Sequence, residues 1–187
     1  MSSVYDLEMS CDRYTYADYE EWDEWFRCEL IDGIVYMMSS PSVWHQDVVL
    51  EIGARLRESL NGRKCKAYVS PLDVRLFPKN DGSDRDVVQP DVIVVCDESK
   101  MSDGKACRGA PDVVIEVISG STKFNDLRMK RDLYKSAGVK EYWVIAKAYA
   151  IRWVWVDGKD EELRFMRVNG VIRMQLTVLP LCIELDA

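Results

Sequence analysis

The chain has 187 residues, of which 48% are hydrophobic and 30% are charged. This length predicts one compact domain over residues 1–187, because a chain of this size buries enough surface for a hydrophobic core of its own. The 25 basic and 32 acidic residues give a net charge of −7, which argues against a protein whose main task is nonspecific binding to nucleic acid or anionic lipid. No apolar run approaches the roughly 20 residues of a transmembrane helix, so we expect no membrane partner.

The six cysteines include no C-x-x-C pair. Cys96 ends the apolar run VIVVC and Cys182 lies within LPLCIEL, which is typical of reduced thiols in a core. The first residues include Asp6 and Glu8 and lack the apolar stretch of a secretion signal. These features predict a cytoplasmic protein without a disulfide framework.

The first part of the chain predicts a helix and a hairpin. Thr15 is a candidate N-cap with Asp18 three residues later, and the helix is expected to end near Cys28. ELIDGIVYMM contains two apolar runs separated by Asp32-Gly33, a typical hairpin turn.

A second helix and a series of strands follow. Apolar residues at fourfold spacing after Ser42 predict an amphipathic helix, and these are Val48, Ile52, Leu56 and Leu60. Strands are predicted at KAYVS, LDVRLF, DVVQPDVIVVC, APDVVIEVIS, EYWVI and IRWVWV, with edge strands and a tail after them. NDLRMKRDLYKSAG is predicted to be a helix capped by Asn125 and ended by Gly138. This order predicts an α/β fold with a mixed β-sheet flanked by helices.

Two acids interrupt strands that otherwise have the composition of a core. Asp91 precedes VIVV, and Glu116 lies inside VVIEVI. A buried carboxylate is costly unless it is paired or binds a cation, so an ion pair in the core is one explanation for Glu116. Neighbouring strands can bring two such acids together, and Mg²⁺ or Mn²⁺ prefers carboxylate oxygens. The two acids are therefore candidate metal ligands.

Four ordered blocks carry a family resemblance: ELIDGIVYMMSSPS-x-x-H, VQPDVIVV, APDVVIEVIS and D-x3-K-x3-Y followed by GV-x-EYWVI. Between about Glu29 and Ile145 the chain resembles the Uma-type (Uma-two) family of restriction-endonuclease domains, within the PD-(D/E)XK nuclease superfamily. The resemblance implies a restriction-endonuclease-like core. It also implies that Asp91 and Glu116 are the two acids of the motif and that Glu29 is the family's upstream acid.

The catalytic lysine is where the chain departs from the superfamily pattern. The E-x-K position is occupied by Ile118, and the following helix offers a substitute. Asp126, Lys130 and Tyr134 recur at i, i+4 and i+8 and so share one face of that helix. We expect Lys130 to be the catalytic lysine, with Lys123 as the second choice. A surface ion pair between Asp126 and Lys130 is the alternative.

Three further residues are secondary site candidates. His45, the only histidine, could act on a water or a phosphate, or could simply bond a backbone carbonyl. Asp73 is expected to face the same side as Arg75, either as its partner or as a supporting acid. Gln89 immediately precedes Pro90-Asp91.

These observations favour a Mg²⁺- or Mn²⁺-dependent endonuclease that hydrolyses DNA phosphodiester bonds as a homodimer. Its affinity for DNA would come from a local basic surface, and the candidates are Arg55, Arg57, Arg63, Lys64 and Lys66. The alternative is a catalytically inactive interaction module with the same fold, in a defence or mobile-element complex. Cleavage of RNA rather than DNA stays open.

Overall fold

The computed structural model describes residues 13–23, 25–118, 124–168, 171–179 and 181–185, without the side chains of residues 124–126. The described residues form three α-helices, which are α1 (Tyr16–Glu20), α2 (Val43–Ser59) and α3 (Phe124–Ala137), and a short 3-10 helix (Glu98–Met101). None of these helices is both long and apolar enough to cross a membrane. The strands are β1 (Cys28–Ile31), β2 (Ile34–Met37), β3 (Lys66–Val69), β4 (Asp73–Arg75), β5 (Val87–Val88), β6 (Val92–Val95), β7 (Ala106–Arg108), β8 (Val113–Val117), β9 (Glu141–Ile145), β10 (Tyr149–Val154), β11 (Glu161–Met166), β12 (Ile172–Gln175) and β13 (Cys182–Leu185).

The described strands make two larger sheets and a hairpin. One sheet has the order β2-β1-β5-β4-β7, the other has the order β11-β10-β9-β8-β6-β3, and β12 pairs with β13. Pairing is antiparallel except between β4 and β7 and between β8 and β9. The α/β class with mixed sheets and flanking helices is as predicted, although the strands divide between two sheets rather than one.

The six-stranded sheet is the centre of the molecule because both of its faces are covered. The side chains of β8 alternate, so that Val113, Ile115 and Val117 pack under α2 and the β12–β13 hairpin. Val114 and its neighbours on the opposite face pack against α3 and the five-stranded sheet. Glu116 belongs to this second face, which places a carboxylate between the sheet and α3.

Helix α1 begins as predicted and ends early. Thr15 and Asp18 form a reciprocal capping box at its N-terminus. The helix stops at Glu20 rather than near Cys28. Beyond it, Trp22 turns back so that its ring packs between Tyr14 and Phe26, at 5.3 and 5.4 Å between ring centroids. After the helix, the side chain of Asp23 accepts a hydrogen bond from the backbone N–H of Trp25, a local contact typical of a turn.

The hairpin and the long helix α2 agree with the sequence. Asp32 and Gly33, at the turn between β1 and β2, have φ angles of 50° and 74°, the left-handed conformation that a two-residue hairpin turn requires. Helix α2 is capped by Ser42. The four residues at fourfold spacing are all buried, with at most 4% of their surface exposed: Val48, Ile52, Leu56 and Leu60.

The apolar run from residue 86 to residue 96 was predicted as one strand, and the structure divides it. Val87 and Val88 form β5 in the five-stranded sheet, and β6 in the six-stranded sheet begins at Val92. Pro90 lies between them and has no N–H to donate to a ladder, which explains the break. The chain therefore crosses from one sheet to the other immediately before Asp91.

The prediction of reduced cysteines was wrong for one pair. Cys65 and Cys96 are joined by a disulfide bond. They stand opposite each other just beyond the ladder between β3 and β6, in which Lys66 pairs with Val95. Cys182, predicted to lie in a core, is exposed.

The C-terminal residues are more than edge strands and a tail. Strand β11 is an edge strand of the six-stranded sheet, but β12 and β13 form a separate hairpin that packs against α2. Four side chains of the hairpin are almost completely buried: Ile172, Met174, Ile183 and Leu185.

The C-terminal end of α3 is as predicted, because Gly138 ends the helix with a φ of 94°. The proposed cap Asn125 lies outside the described side chains.

Candidate active site

Asp91 and Glu116 lie side by side. In the antiparallel ladder between β6 and β8, Val92 pairs with Ile115, so the preceding Asp91 stands opposite Glu116. The backbone N–H of Val117 also donates a hydrogen bond of 2.8 Å to Oδ2 of Asp91. Only 13% of the Asp91 side chain and 11% of the Glu116 side chain are exposed. Strand pairing thus brings together two mostly buried carboxylates.

His45 contacts this pair from the first turn of α2. The Ser42 side chain accepts a hydrogen bond from the backbone N–H of His45, which fixes the start of the helix. The Nε2 atom of His45 is 3.1 Å from Oδ2 of Asp91. This hydrogen bond, followed by the negative charges of Asp91 and Glu116, raises the pKa of His45 although burial opposes the shift. The imidazole therefore has a carboxylate partner.

Lys130 joins Glu116 to the upstream acid Glu29. Its Nζ atom donates to Oε1 of Glu29 at 2.8 Å and to Oε1 of Glu116 at 2.9 Å. Glu29 is held in turn by the backbone N–H of Gln89, at 2.9 Å. Burial alone would lower the pKa of Lys130, but the charges of Glu116 and Glu29 outweigh it and raise that pKa. The amine is consequently a cation at neutral pH.

Tyr134, one helical turn after Lys130, is a site residue that the sequence interpretation did not assign. Its hydroxyl donates to the same Oε1 of Glu116 at 2.8 Å, and its side chain is completely buried. Burial raises its pKa well above the ordinary value, and the negative charge of Glu116 adds to the shift. Tyr134 therefore stays a hydrogen-bond donor. The D-x3-K-x3-Y spacing contained the signal, because positions i and i+4 of a helix share a face.

The negative charge of the site exceeds the positive charge. Burial raises the pKa of Glu116 to about 7, and Asp91 and Glu29 contribute to the rise against the attraction of Lys130. Within the described chain, hydrogen bonds reach Oδ2 of Asp91 and Oε1 of Glu116 and leave Oδ1 and Oε2 for a ligand. A cation placed at these two oxygens would reduce the repulsion.

A divalent metal ion would find two ligands here. Among the described residues, no group of three or more His, Cys, Asp or Glu side chains is arranged to hold a metal ion. Mg²⁺ is commonly bound through one or two carboxylates, with water and phosphate oxygens completing its shell. The oxygens of Asp91 and Glu116 therefore fit Mg²⁺ or Mn²⁺ as a partial site, in which water or phosphate oxygens would complete the shell.

Asp73 and Gln89 form a supporting network beside Glu29. The Nε2 atom of Gln89 donates to Oδ1 of Asp73 at 2.8 Å, and the hydroxyl of Tyr19 donates to the same oxygen at 3.0 Å. Asp73 was expected to pair with Arg75 or to support the site. In the structure Arg75 pairs instead with Asp84, which comes from the loop before β5.

The predicted basic surface is not brought to the site, and the second-choice lysine, Lys123, lies outside the described residues. The basic candidates of residues 55–66 follow α2 away from His45, and Lys66 pairs with Val95 at the far end of β6 from Asp91. Because an α-helix rises about 1.5 Å per residue, Arg57 lies roughly 18 Å along α2 from His45.

Comparison with known proteins agrees with this architecture. The model of the Uma2 family, described as "Putative restriction endonuclease", matches residues 16–179, a longer segment than the one that carries the sequence blocks. The crystal structure of a protein described as a putative nuclease belonging to DUF820, from Anabaena variabilis, is similar with a TM-score of 0.67 and 17% sequence identity. The similarity covers 84% of this chain and 87% of that chain, and at this identity it shows the fold alone. A search among curated proteins gave no match. Because the family model spans most of its length, the chain belongs to the Uma2 family of "Putative restriction endonuclease" domains.

Proposed function

We propose that this protein is a cytoplasmic metal-dependent endonuclease that hydrolyses phosphodiester bonds in DNA. The observation that carries the proposal is the juxtaposition of a partly buried lysine with an acidic pair, Asp91 and Glu116. The ammonium of Lys130 is 2.9 Å from Glu116, and Asp91 stands opposite Glu116 in the ladder. Family membership supports a nuclease as the class of protein.

In this proposal Asp91 and Glu116 hold Mg²⁺ or Mn²⁺. The ion supplies Lewis-acid polarisation of a phosphate oxygen and a water of lowered pKa. Lys130 places a fixed positive charge where negative charge develops on the phosphate, in a site from which most water is excluded. Glu29 positions Lys130, and His45 positions Asp91 through their hydrogen bond. The hydroxyl of Tyr134 holds one oxygen of Glu116 and so directs the other oxygen toward the ligand.

The direct test is cleavage of supercoiled plasmid and single-stranded DNA, with RNA as a parallel substrate, in Mg²⁺ or Mn²⁺. We expect cleavage of DNA by the wild type, none in EDTA, and none by Glu116→Gln, which keeps the shape of the side chain and removes its charge. Asp97→Asn is the matched control, because Asp97 is an exposed acid that caps the 3-10 helix. No cleavage by the folded wild type with either metal would favour the inactive interaction module.

We further propose a homodimer. Helix α2 and the edge strand β3 present a row of apolar side chains, with 80% of Val43, 71% of Leu50 and 45% of Val69 exposed. Strand β3 is also an edge of the six-stranded sheet, so its outer N–H and C=O groups have no strand to pair with among the described residues. Light scattering after gel filtration should give twice the chain mass for the wild type and the chain mass for Leu50→Glu. A monomeric wild type would contradict the dimer and leave the nuclease proposal intact.

A further inference from the structure

A groove lies between α3 and the outer strands β10 and β11, on the same face of the sheet as Glu116. Its volume is about 640 Å³. The groove is lined by Leu127, Arg128, Arg131, Tyr149, Ile151, Trp153, Glu162, Arg164 and Met166. It does not include the carboxylate pair, so it is a separate feature of the molecule.

The groove adjoins the candidate active site. Arg131 follows Lys130 directly in α3, and consecutive Cα atoms are 3.8 Å apart. The Lys130 side chain therefore contacts the acidic cluster (Glu29, Asp91 and Glu116), while the next side chain, Arg131, lines the groove. The register of the strands also places the candidate active site beside the groove. Val117, next to Glu116 on β8, pairs with Ile145 on β9, and Ile145 pairs with Ala150 at the start of β10. A polymer bound at the carboxylates can thus extend into the groove.

The lining has two chemical characters. Its floor is apolar, with Ile151 and Trp153 no more than 8% exposed. Its walls include three arginines and one acid, Glu162, so the lining carries more positive than negative charge although the net charge of the chain is −7. A ligand that fits both characters has a flat apolar part and an anionic part.

Two of the three arginines, Arg131 and Arg164, are paired with acids that are exposed to solvent. Arg131 pairs with its neighbour Asp132, and Arg164 pairs with Glu162 at 3.3 Å. The Arg164 and Asp132 side chains are 67% and 63% exposed, and exposed ion pairs of this kind stabilise a protein little. A phosphate offers a guanidinium two oxygens at once and would compete with them.

We propose that this groove binds an unpaired nucleotide of the substrate strand. The phosphate is bound by Arg131 and Arg164, and the base lies on Trp153 and Ile151. The volume falls within the range of about 300–1,000 Å³ typical of small-ligand pockets, which suits one nucleotide rather than a duplex. Bases freed from a stack bind to aromatic side chains and basic residues in this way. The inference rests on the proposed function, in which the substrate is DNA.

The test compares two double charge reversals that change the net charge equally. Arg131→Glu/Arg164→Glu alters the groove, whereas Arg63→Glu/Lys64→Glu alters the basic candidates beyond the C-terminus of α2. Affinity for a fluorescent single-stranded oligonucleotide is measured by anisotropy in EDTA at several salt concentrations. We expect the groove variant to bind at least tenfold more weakly, with a salt slope reduced by about 0.7, as for one lost phosphate contact on a single strand. The Arg63→Glu/Lys64→Glu variant should stay within twofold of the wild type.

Two further measurements separate the loss of the arginines from the added negative charge and test the contact with the base. Arg131→Gln/Arg164→Gln, which adds no negative charge, should weaken binding in the same direction by a smaller factor, with an unchanged melting temperature. An oligonucleotide with abasic positions should bind the wild type more weakly than the intact strand. Equal affinity for the abasic strand, equal losses in both double reversals, or no binding by the wild type would each overturn the inference.

The cleavage assay separates this inference from the proposed function. If the wild type cuts DNA and the groove variants bind and cut normally, the groove inference fails alone. If the wild type binds single strands through the groove and cuts nothing with Mg²⁺ or Mn²⁺, the groove inference holds and the proposed nuclease activity fails.

Discussion

Lys130 bridges two carboxylates that come from different sheets, Glu29 on β1 and Glu116 on β8. The superfamily pattern places the lysine two residues after the acid, where this chain has the partly buried Ile118. A lysine from α3 can replace it because the helix packs directly over the face that carries Glu116. The spacing of Asp126, Lys130 and Tyr134 predicted that these residues share one face of α3. The contact of Lys130 with Glu29 could not be predicted in this way, because it depends on the packing of the five-stranded sheet against α3.

Lys130→Met is expected to reduce cleavage at least about 100-fold, on the scale of losing one preorganised donor. The geometry adds a cost to folding, because the variant leaves Glu29 and Glu116 buried without their cation. Removing one partner of a buried ion pair typically costs about 3–5 kcal/mol. Urea unfolding should show this loss without metal, and Mg²⁺ should recover part of it. Unchanged stability and unchanged cleavage together would contradict the role given to Lys130.

Two tyrosines whose rings are in contact provide a matched pair of variants. Tyr134 donates to Glu116, whereas the hydroxyl of Tyr142, also fully buried, has no partner within the described chain. Their ring centroids are 5.0 Å apart. Tyr134→Phe should lower the free energy of unfolding by about 1.5–3 kcal/mol, as for a hydrogen bond to a charged group, and weaken Mn²⁺ binding. Tyr142→Phe should leave Mn²⁺ binding unchanged and should not lower the free energy of unfolding, because the hydroxyl that it removes has no hydrogen-bond partner in the described chain. The assignment fails if the two variants behave alike in both measurements.

At the scale of elements, the clearest difference from the sequence concerns Arg75 on β4. Alternation along the strand suggested Asp73 as its partner, because residues i and i+2 share a face. The structure gives Arg75 a different carboxylate, Asp84, which returns from the loop before β5, and none of the Asp84 side chain is exposed. A polar loop contains no periodic signal that would reveal such a buried contact. Burial of this ion pair fixes the loop against the five-stranded sheet.

Arg75→Met is expected to destabilise the protein by about 3–5 kcal/mol, because it leaves Asp84 buried without its cation. Arg173→Met is the control, since Arg173 pairs with Glu184 on the surface and only about 0–1 kcal/mol is expected from such a pair. Urea titrations of both variants measure the difference. Similar losses in the two variants would rule out a special contribution from the buried pair.

The same pair predicts how stability depends on pH. Burial alone would raise the pKa of Asp84, but hydrogen bonds from Arg75 and from the backbone N–H of Lys79 hold it below its ordinary value of 3.8. On acidification the unfolded chain therefore binds the proton first, so this stabilisation is complete above about pH 4 to 5 and is lost as the pH falls through the folded-state pKa. Thermal unfolding of Asp84→Asn between pH 5 and pH 2.5 should decline less steeply than that of the wild type. Equal slopes would contradict the prediction.

Element types were easier to predict than element partners. Fourfold spacing identified α2, and a two-residue turn identified the β1–β2 hairpin, because both signals are local. The early end of α1 was missed because Asp23 directs a turn, in which its side chain accepts a hydrogen bond from the backbone N–H of Trp25. The Cys65–Cys96 bond depends on the pairing of β3 with β6.

At the scale of the whole molecule, strand order decides which predicted residues meet. Asp91 and Glu116 meet because β6 and β8 are neighbours, and the sequence could suggest this from two acids in successive apolar runs. Glu29 lies beside Lys130 and Glu116 because the five-stranded sheet, which contains β1, packs against the six-stranded sheet. The basic residues beyond the C-terminus of α2 lie at the opposite end of that helix from His45, so they do not adjoin the carboxylate pair. Near the acidic cluster, the groove beside α3 supplies arginines instead.

The most direct measurement of the central claim is Mn²⁺ binding by isothermal titration calorimetry, since it reports on the carboxylate pair without requiring turnover. The wild type should bind the ion, and Glu116→Ala should abolish the binding because it removes one of the two proposed ligands. Glu98→Ala is the control, because Glu98 is an exposed acid paired with Lys66 at the far end of the sheet, and it should bind as the wild type does. Equal binding of Mn²⁺ by the wild type and by Glu116→Ala would contradict the proposed metal site.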